Sequence, residues 1–255
     1  MVMDKIRISA VRYANTYPFI YGLKESGFSR KILLELDHPA DCAAKLISGK
    51  ADIALLPVGA LPKLKDYTII TDYCIGANGH VRTVMLLFNC SFDEIDTIFL
   101  DYRSRTSVNL VKVLAQNLWE KKIRWVDTSE GFDFLGIKCN EAVVLIGDQC
   151  FEYEGQYRNG LDLSMEWKKL TGLPFVFACW ATCKEIDNSI IEELNSALNF
   201  GVSDIDGVVS YYKNIGPIKG ETLRRYLMEN IDFVLNNEKR GVIDMFLSYM
   251  NKLNV

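Results

Sequence analysis

Residues 5–58, KIRISAVRYANTYPFIYGLKESGFSRKILLELDHPADCAAKLISGKADIALLPV, decide the fold class. KIRISAV (5–11) alternates apolar and polar residues and predicts a first strand. A polar turn, Arg12 to Thr16, follows it, and Pro18 can open a helix. KILLEL (31–36) predicts the second strand. DHPADCAAKLISG (37–49) predicts a short helix, with Asp37 as a possible cap, Pro39 in the first turn and Gly49 as the stop. ADIALLPV (51–58) predicts a buried strand. Strand, helix, strand, helix, strand in this order implies right-handed crossovers and a parallel sheet.

Further along, the same logic repeats. DTIFLDY (96–102) predicts a strand and SRTSVNLVKVLAQNLWE (104–120) a helix with a polar start. KKIRWVD and EAVVLIGDQC predict two more strands, the second buried and running into a loop. HVRTVMLLFN (80–89) and PFVFACWATC (174–183) are long, apolar and β-rich, as connections between two lobes would be. SIIEELNSALNFGV, GETLRRYLMENIDFVL and EKRGVIDMFLSYMNKL predict a helical tail. The expected organisation is one lobe from 1–84 plus 181–255 and a second from 85–180. This is the plan of hinged proteins that close around a ligand.

Composition removes several classes. With 255 residues, 49% hydrophobic and 24% charged, the chain can bury a full core, and disorder is not expected. The net charge of −4 gives no global field that would draw nucleic acid or an anionic membrane. No stretch approaches the roughly 18 apolar residues of a membrane span. Asp4, Lys5 and Arg7 interrupt the opening residues, so neither an export signal nor a lipid anchor is expected. Seven scattered cysteines fit reduced thiols in the cytoplasm better than a disulfide framework. The two histidines, His38 and His80, are far apart, and no metal-ligand spacing, phosphate-binding glycine loop or nucleophile elbow is present.

In open α/β sheets, ligands sit beyond the carboxyl ends of the strands. Two polar loops meet that condition. In the first, Tyr13, Asn15 and Thr16 follow strand one, and Asn15 offers both a donor and an acceptor. Its alternative role is an ordinary turn or cap residue. In the second, Ser104, Arg105, Thr106 and Ser107 open a helix, where hydroxyls and free N–H groups favour an anion and Arg105 could add charge. Simple capping is the alternative there. Thr83, beside Arg82 in the first suspected crossing strand, could reach the cleft or merely pack. Asp148, after the apolar run VVLIG, could orient a partner, act as a base or cap a turn.

These residues carry a family resemblance along almost the full length. IRISAVRYANTYPFIYGL, LDYRSRTSVNLVKVL, VLIGDQCF, DLSMEWKKLTGLPFVFACWA and RRYLMENIDFVLNNEKRGVIDMFLSYM resemble the chorismate dehydratases of the futalosine route to menaquinone (MqnA family, MqnA/MqnD superfamily). The resemblance implies a periplasmic-binding-protein-like type II fold: two α/β lobes with a hinge of two crossing strands. It implies a cytoplasmic lyase with no cofactor and no metal, acting on chorismate as its small-molecule substrate. The product would be 3-[(1-carboxyvinyl)oxy]benzoate. Asn15 matches the family's N-terminal turn, Ser104 to Ser107 its anion-binding helix start, and Asp148 the Asp of its IGD segment. Thr83 stands where relatives often have Ser, and Ala14 where they commonly have Leu.

Loss of the C3 proton and the C4 hydroxyl from chorismate makes an aromatic ring, so the enzyme needs chiefly to position it. On this reading Asn15 and Asp148 are the catalytic candidates. Tyr13, Thr16, Arg82, Thr83, Ser104, Arg105, Thr106 and Ser107 would hold the substrate. The proton acceptor would be the substrate's own side-chain carboxylate, with Asp148 as the protein alternative. The rivals are a solute-binding protein of the same fold, the related 1,4-dihydroxy-6-naphthoate synthase and a regulator's effector lobe.

Overall fold

A computed structural model describes residues 5–253 as two sheets flanked by helices. The first lobe begins β1 (Ile6–Val11), α1 (Tyr17–Glu25), β2 (Ile32–Asp37), α2 (Pro39–Ile47), β3 (Ile53–Pro57) and β4 (Thr68–Ala77). β1 pairs in parallel with both β2 and β3, as the strand–helix alternation requires. The second lobe holds β5 (Val84–Phe88), β6 (Thr97–Leu100), α3 (Thr106–Asn117), β7 (Arg124–Asp127), β8 (Glu141–Ile146), α4 (Gln149–Glu152), β9 (Asn159–Asp162) and α5 (Leu163–Thr171). Its five strands run in the order β7-β6-β8-β5-β9.

The chain then returns to the first lobe. It forms β10 (Phe175–Thr182), α6 (Asn188–Ser203), α7 (Ile205–Tyr211), α8 (Gly220–Arg225), β11 (Asp232–Val234) and α9 (Asn237–Asn251). The six-stranded sheet has the order β11-β4-β10-β3-β1-β2. All eight residues of β10 are buried, because it lies antiparallel between β3 and β4 with both faces covered. The expected lobe boundary at 180/181 falls inside this strand, and the one at 84/85 cuts β5 after its first residue. The chain changes sheets between β4 and β5 and again between β9 and β10.

Two local expectations differ from the structure. Asp37 does not cap α2: its carboxylate accepts from Ser9 Oγ (2.6 Å) and Lys45 Nζ (2.7 Å), and the helix begins after His38. The run expected to be helical over IDFVL instead leaves a π-helical turn at Tyr226–Asn230 and becomes β11, which pairs with β4. An open edge on β4 outweighs a helical pattern that is equally apolar when extended.

The two lobes share one apolar core. Trp167 of α5 meets Phe175 of β10 and Phe246 and Tyr249 of α9, with ring centroids 5.1, 5.9 and 5.8 Å apart. Among the described residues no helix is long and apolar enough to cross a membrane.

Candidate functional site

The cleft lies where the carboxyl ends of β1, β3, β6 and β8 converge, the position that open α/β sheets reserve for ligands. It is narrow, with a cavity volume of about 60 Å³. Tyr13, Asn15 and Thr16 enter it from the first lobe, and Ser104, Thr106 and Ser107 from the second. Thr83 reaches it from the segment between the sheets, and Phe177 gives it an aromatic wall. Among the described residues lining it, none is acidic, basic or histidine.

The turn after β1 is held rigidly. Thr16 Oγ1 lies 2.5 Å from the Val11 carbonyl and 2.7 Å from that of Tyr13, so this hydroxyl closes the turn. The Tyr13 ring spans the cleft to Gly147, directly after β8. Gly147 has φ +67°, and a Cβ there would stand 2.8 Å from the ring. Asp148, the next residue, accepts the Ala14 N–H at 2.9 Å. Burial pushes the Asp148 carboxyl up to about 6, against the lowering effect of that hydrogen bond. Asp148 thus sits behind the cavity wall, tying the turn of one lobe to the strand end of the other.

Two acceptors on this turn have no protein partner: Tyr13 Oη and Asn15 Oδ1 are both buried and unsatisfied. Such atoms are rare in folded proteins and each calls for a ligand, a water or an ion. Burial also pushes the Tyr13 phenol well up, so it stays protonated and can donate.

Four hydroxyls line the rest of the polar wall, and they are not equivalent. Ser104 Oγ accepts the Ser107 N–H at 3.0 Å, which is a helix cap. Thr106 Oγ1 accepts from the Gly59 N–H (3.1 Å) and donates to the Phe177 carbonyl (3.0 Å), strapping α3 to the first lobe. Gly59 allows this approach, since a Cβ there would meet the Thr106 backbone at 2.9 Å. Ser107 is buried on the cavity wall at the start of α3, where the helix dipole favours an anion. Thr83 Oγ1 lies 2.7 Å from the hydroxyl of Tyr226.

Both arginines expected in the cleft lie outside it. Arg82 has φ +62°. Its guanidinium pairs with Glu154 at 2.9 Å and lies 5.2 Å over the Phe151 ring, in a separate groove. Arg105 is exposed just ahead of α3 and is not among the residues that line the cavity. A different arginine lies near the cleft. Arg103 binds Asp101 through Nε and Nη2, both at 2.8 Å, and Gln149 caps the same carboxylate at 2.7 Å. Its charge lowers the pKa of both Tyr13 and His38, against burial in the first case and along with it in the second.

Sequence reasoning missed Gly147, Arg103 and Tyr226. Gly147 is visible only as one glycine in IGD, and Tyr226 lies in a run that scans as plain helix. Among the described residues no group of His, Cys, Asp and Glu is placed to hold a metal ion.

A family model described as menaquinone biosynthesis matches residues 6–252. A chorismate dehydratase of Thermus thermophilus is 28% identical over 192 residues, covering 68% of each chain. Among solved structures, a protein from Archaeoglobus fulgidus superposes with TM-score 0.77 at 14% identity, covering 98% of both chains. A Candida albicans protein described as having the generic periplasmic binding protein fold gives TM-score 0.64 at 11% identity, over 98% of this chain and 96% of that one.

Proposed function

Because the chain belongs to the menaquinone-biosynthesis family, we propose that it is a chorismate dehydratase, a hydro-lyase that forms 3-[(1-carboxyvinyl)oxy]benzoate and water from chorismate. The observation that carries this reading is a cleft whose polar wall is made of hydroxyl and amide groups, with a buried phenol and a buried amide oxygen on one turn left open for a ligand. Such a wall suits a molecule that presents carboxylates and a hydroxyl on a small ring. The futalosine route and a cytoplasmic site belong to the same proposal.

The chemistry asks for little. Removing the C3 proton and the C4 hydroxyl releases the ring into aromaticity, so holding the reacting groups in one geometry supplies much of the rate. Ser107 and the start of α3 hold one carboxylate. Thr83 and Tyr13 donate toward the other end. Asn15 fixes the hydroxyl or the enolpyruvyl group beside the reacting carbons. Among the described residues no acid or base lines the cavity, and Asp148 is engaged with Ala14. The proton therefore passes to the substrate's own side-chain carboxylate, and Asp148 serves to hold the turn.

Incubating purified protein with chorismate and no added cofactor tests this. An aromatic ultraviolet spectrum should grow in. The binding-protein fold of the structural neighbours favours a second reading, a receptor for small carboxylates. In that case chorismate would be bound and recovered unchanged.

A further inference from the structure

Tyr226 lies outside every element expected to form the site, yet it joins three of them. It is completely buried, 143 residues from Thr83 in the chain, and its hydroxyl is 2.7 Å from Thr83 Oγ1. Burial pushes the Tyr226 phenol well up, and the nearby Thr83 and Asn15 side chains pull weakly against it. An amide nitrogen is the donor end of the Asn15 side chain. The other end of the amide, Oδ1, is the buried acceptor without a partner. The ring is clamped too: Phe151 of the second lobe meets it edge-on at 5.1 Å.

Its backbone setting is unusual. Tyr226 opens the π-helical turn Tyr226–Asn230 between α8 and β11. Such turns are rare and gather at functional sites, because the extra residue redirects a side chain that an α-helix would carry elsewhere.

We propose that Tyr226 is a positioning residue: its hydroxyl, bonded to Thr83 Oγ1, fixes where the Thr83 hydroxyl sits on the cavity wall beside Asn15. On the same wall the unpartnered carbonyl oxygen of Asn15 accepts from a substrate O–H and repels a carboxylate. Thr83 Oγ1 also lies 3.4 Å from the Val81 carbonyl, so when the phenol donates to it, the Thr83 proton can leave that long contact for an anionic group in the cavity. One buried hydroxyl thereby sets Thr83 as a donor to the substrate's carboxylate, beside the Asn15 oxygen that meets its hydroxyl. This rests on the dehydratase reading above, and Tyr226 itself need not touch the substrate.

The test uses Tyr226→Phe, which keeps the ring and its contact with Phe151. Wild-type protein is assayed first; if it forms no aromatic product, the dehydratase reading has failed, and that failure is distinct from this one. With active wild type, Tyr226→Phe should lower kcat about 10- to 100-fold while KM stays within about threefold. Thr83→Val/Tyr226→Phe should be no worse than the poorer single variant, because both remove the same bond. Wild-type kcat in Tyr226→Phe, or losses that multiply in the double variant, would overturn the proposal. If Tyr226→Phe does not fold, Thr83→Ser and Thr83→Val decide. Ser should keep turnover and Val should lose kcat, whereas a loss confined to KM counts against the proposal.

Discussion

The carboxylate of Asp148 accepts the backbone N–H of Ala14 at 2.9 Å, across the gap between the end of β8 and the turn that follows β1. One residue away on each side, the Tyr13 ring rests against Gly147. Two adjacent contacts therefore hold the lobes together at the cleft. The catalytic candidate Asn15 is the next residue on the same turn, so its placement depends on both.

The first consequence concerns pH. Burial raises the Asp148 carboxyl from 3.8 to about 6, so the folded state holds its proton where the unfolded chain has released it. Stability from this group is fully present below about pH 4 and is lost as pH rises from there through about 6. The loss is on the order of 2–3 kcal/mol. Asp148→Asn keeps an acceptor for Ala14 and removes the charge. Denaturant melts should show it more stable than wild type at pH 7 to 8, with the advantage vanishing near pH 4. If Asp148 only holds the turn, the variant retains most turnover; a loss of about 100-fold or more would make it the base.

Gly147→Ala should be far more damaging than a single methyl suggests. The position has φ +67°, and the new Cβ would press on the Tyr13 ring at 2.8 Å. The ring must swing away, taking the Asn15 turn with it. We expect kcat/KM to fall by about 10-fold or more, from displacement of groups that must be positioned closely. Gly155→Ala, also at positive φ but with open space around it, controls for backbone strain alone. Equal activity in the two variants would show that the Tyr13 seat does not matter.

Arg82→Ala and Arg105→Ala should each leave KM for chorismate within about threefold, since neither guanidinium lines the cavity. With no cation on the cavity wall among the described residues, KM should also change little between low and moderate salt. A KM that climbs about tenfold in Arg105→Ala would mean that this side chain swings into the cleft when substrate arrives.

Much of this arrangement was legible in the sequence, and the misses have physical causes. The polar turns at 12–16 and 104–107 were found because each follows a readable strand. The strand run 174–183 was found but misplaced, since a strand buried on both faces carries no alternation to say which sheet it joins. Helix α5 was overlooked although Asp162 caps it and Gly172 ends it at φ +76°. Its apolar stripe is thin, because only part of it faces the core. Arg82 and Arg105 drew attention as cations near hydroxyls, but the direction of a side chain depends on backbone angles that residue type does not reveal. Tyr226 was beyond reach for a similar reason. Its role arises from contacts to residues more than 140 positions away and from a π turn with no sequence signature.

The sharpest prediction concerns Asn15. Its Oδ1 is buried without a partner, an arrangement that costs about 1–3 kcal/mol unless something binds there. If that oxygen holds the substrate beside the reacting carbons, Asn15→Ala should cut kcat by about 100-fold or more and raise KM only modestly. The same substitution should leave the protein no less stable, or slightly more so, because it removes an unsatisfied group from the unliganded state. Melting curves and turnover of one variant thus move in opposite directions, which simple damage to the fold cannot produce. Unchanged kcat with weakened binding would reduce Asn15 to a binding contact. A lowered melting temperature alongside lost turnover would mean that its amide supports the turn more than it serves the ligand.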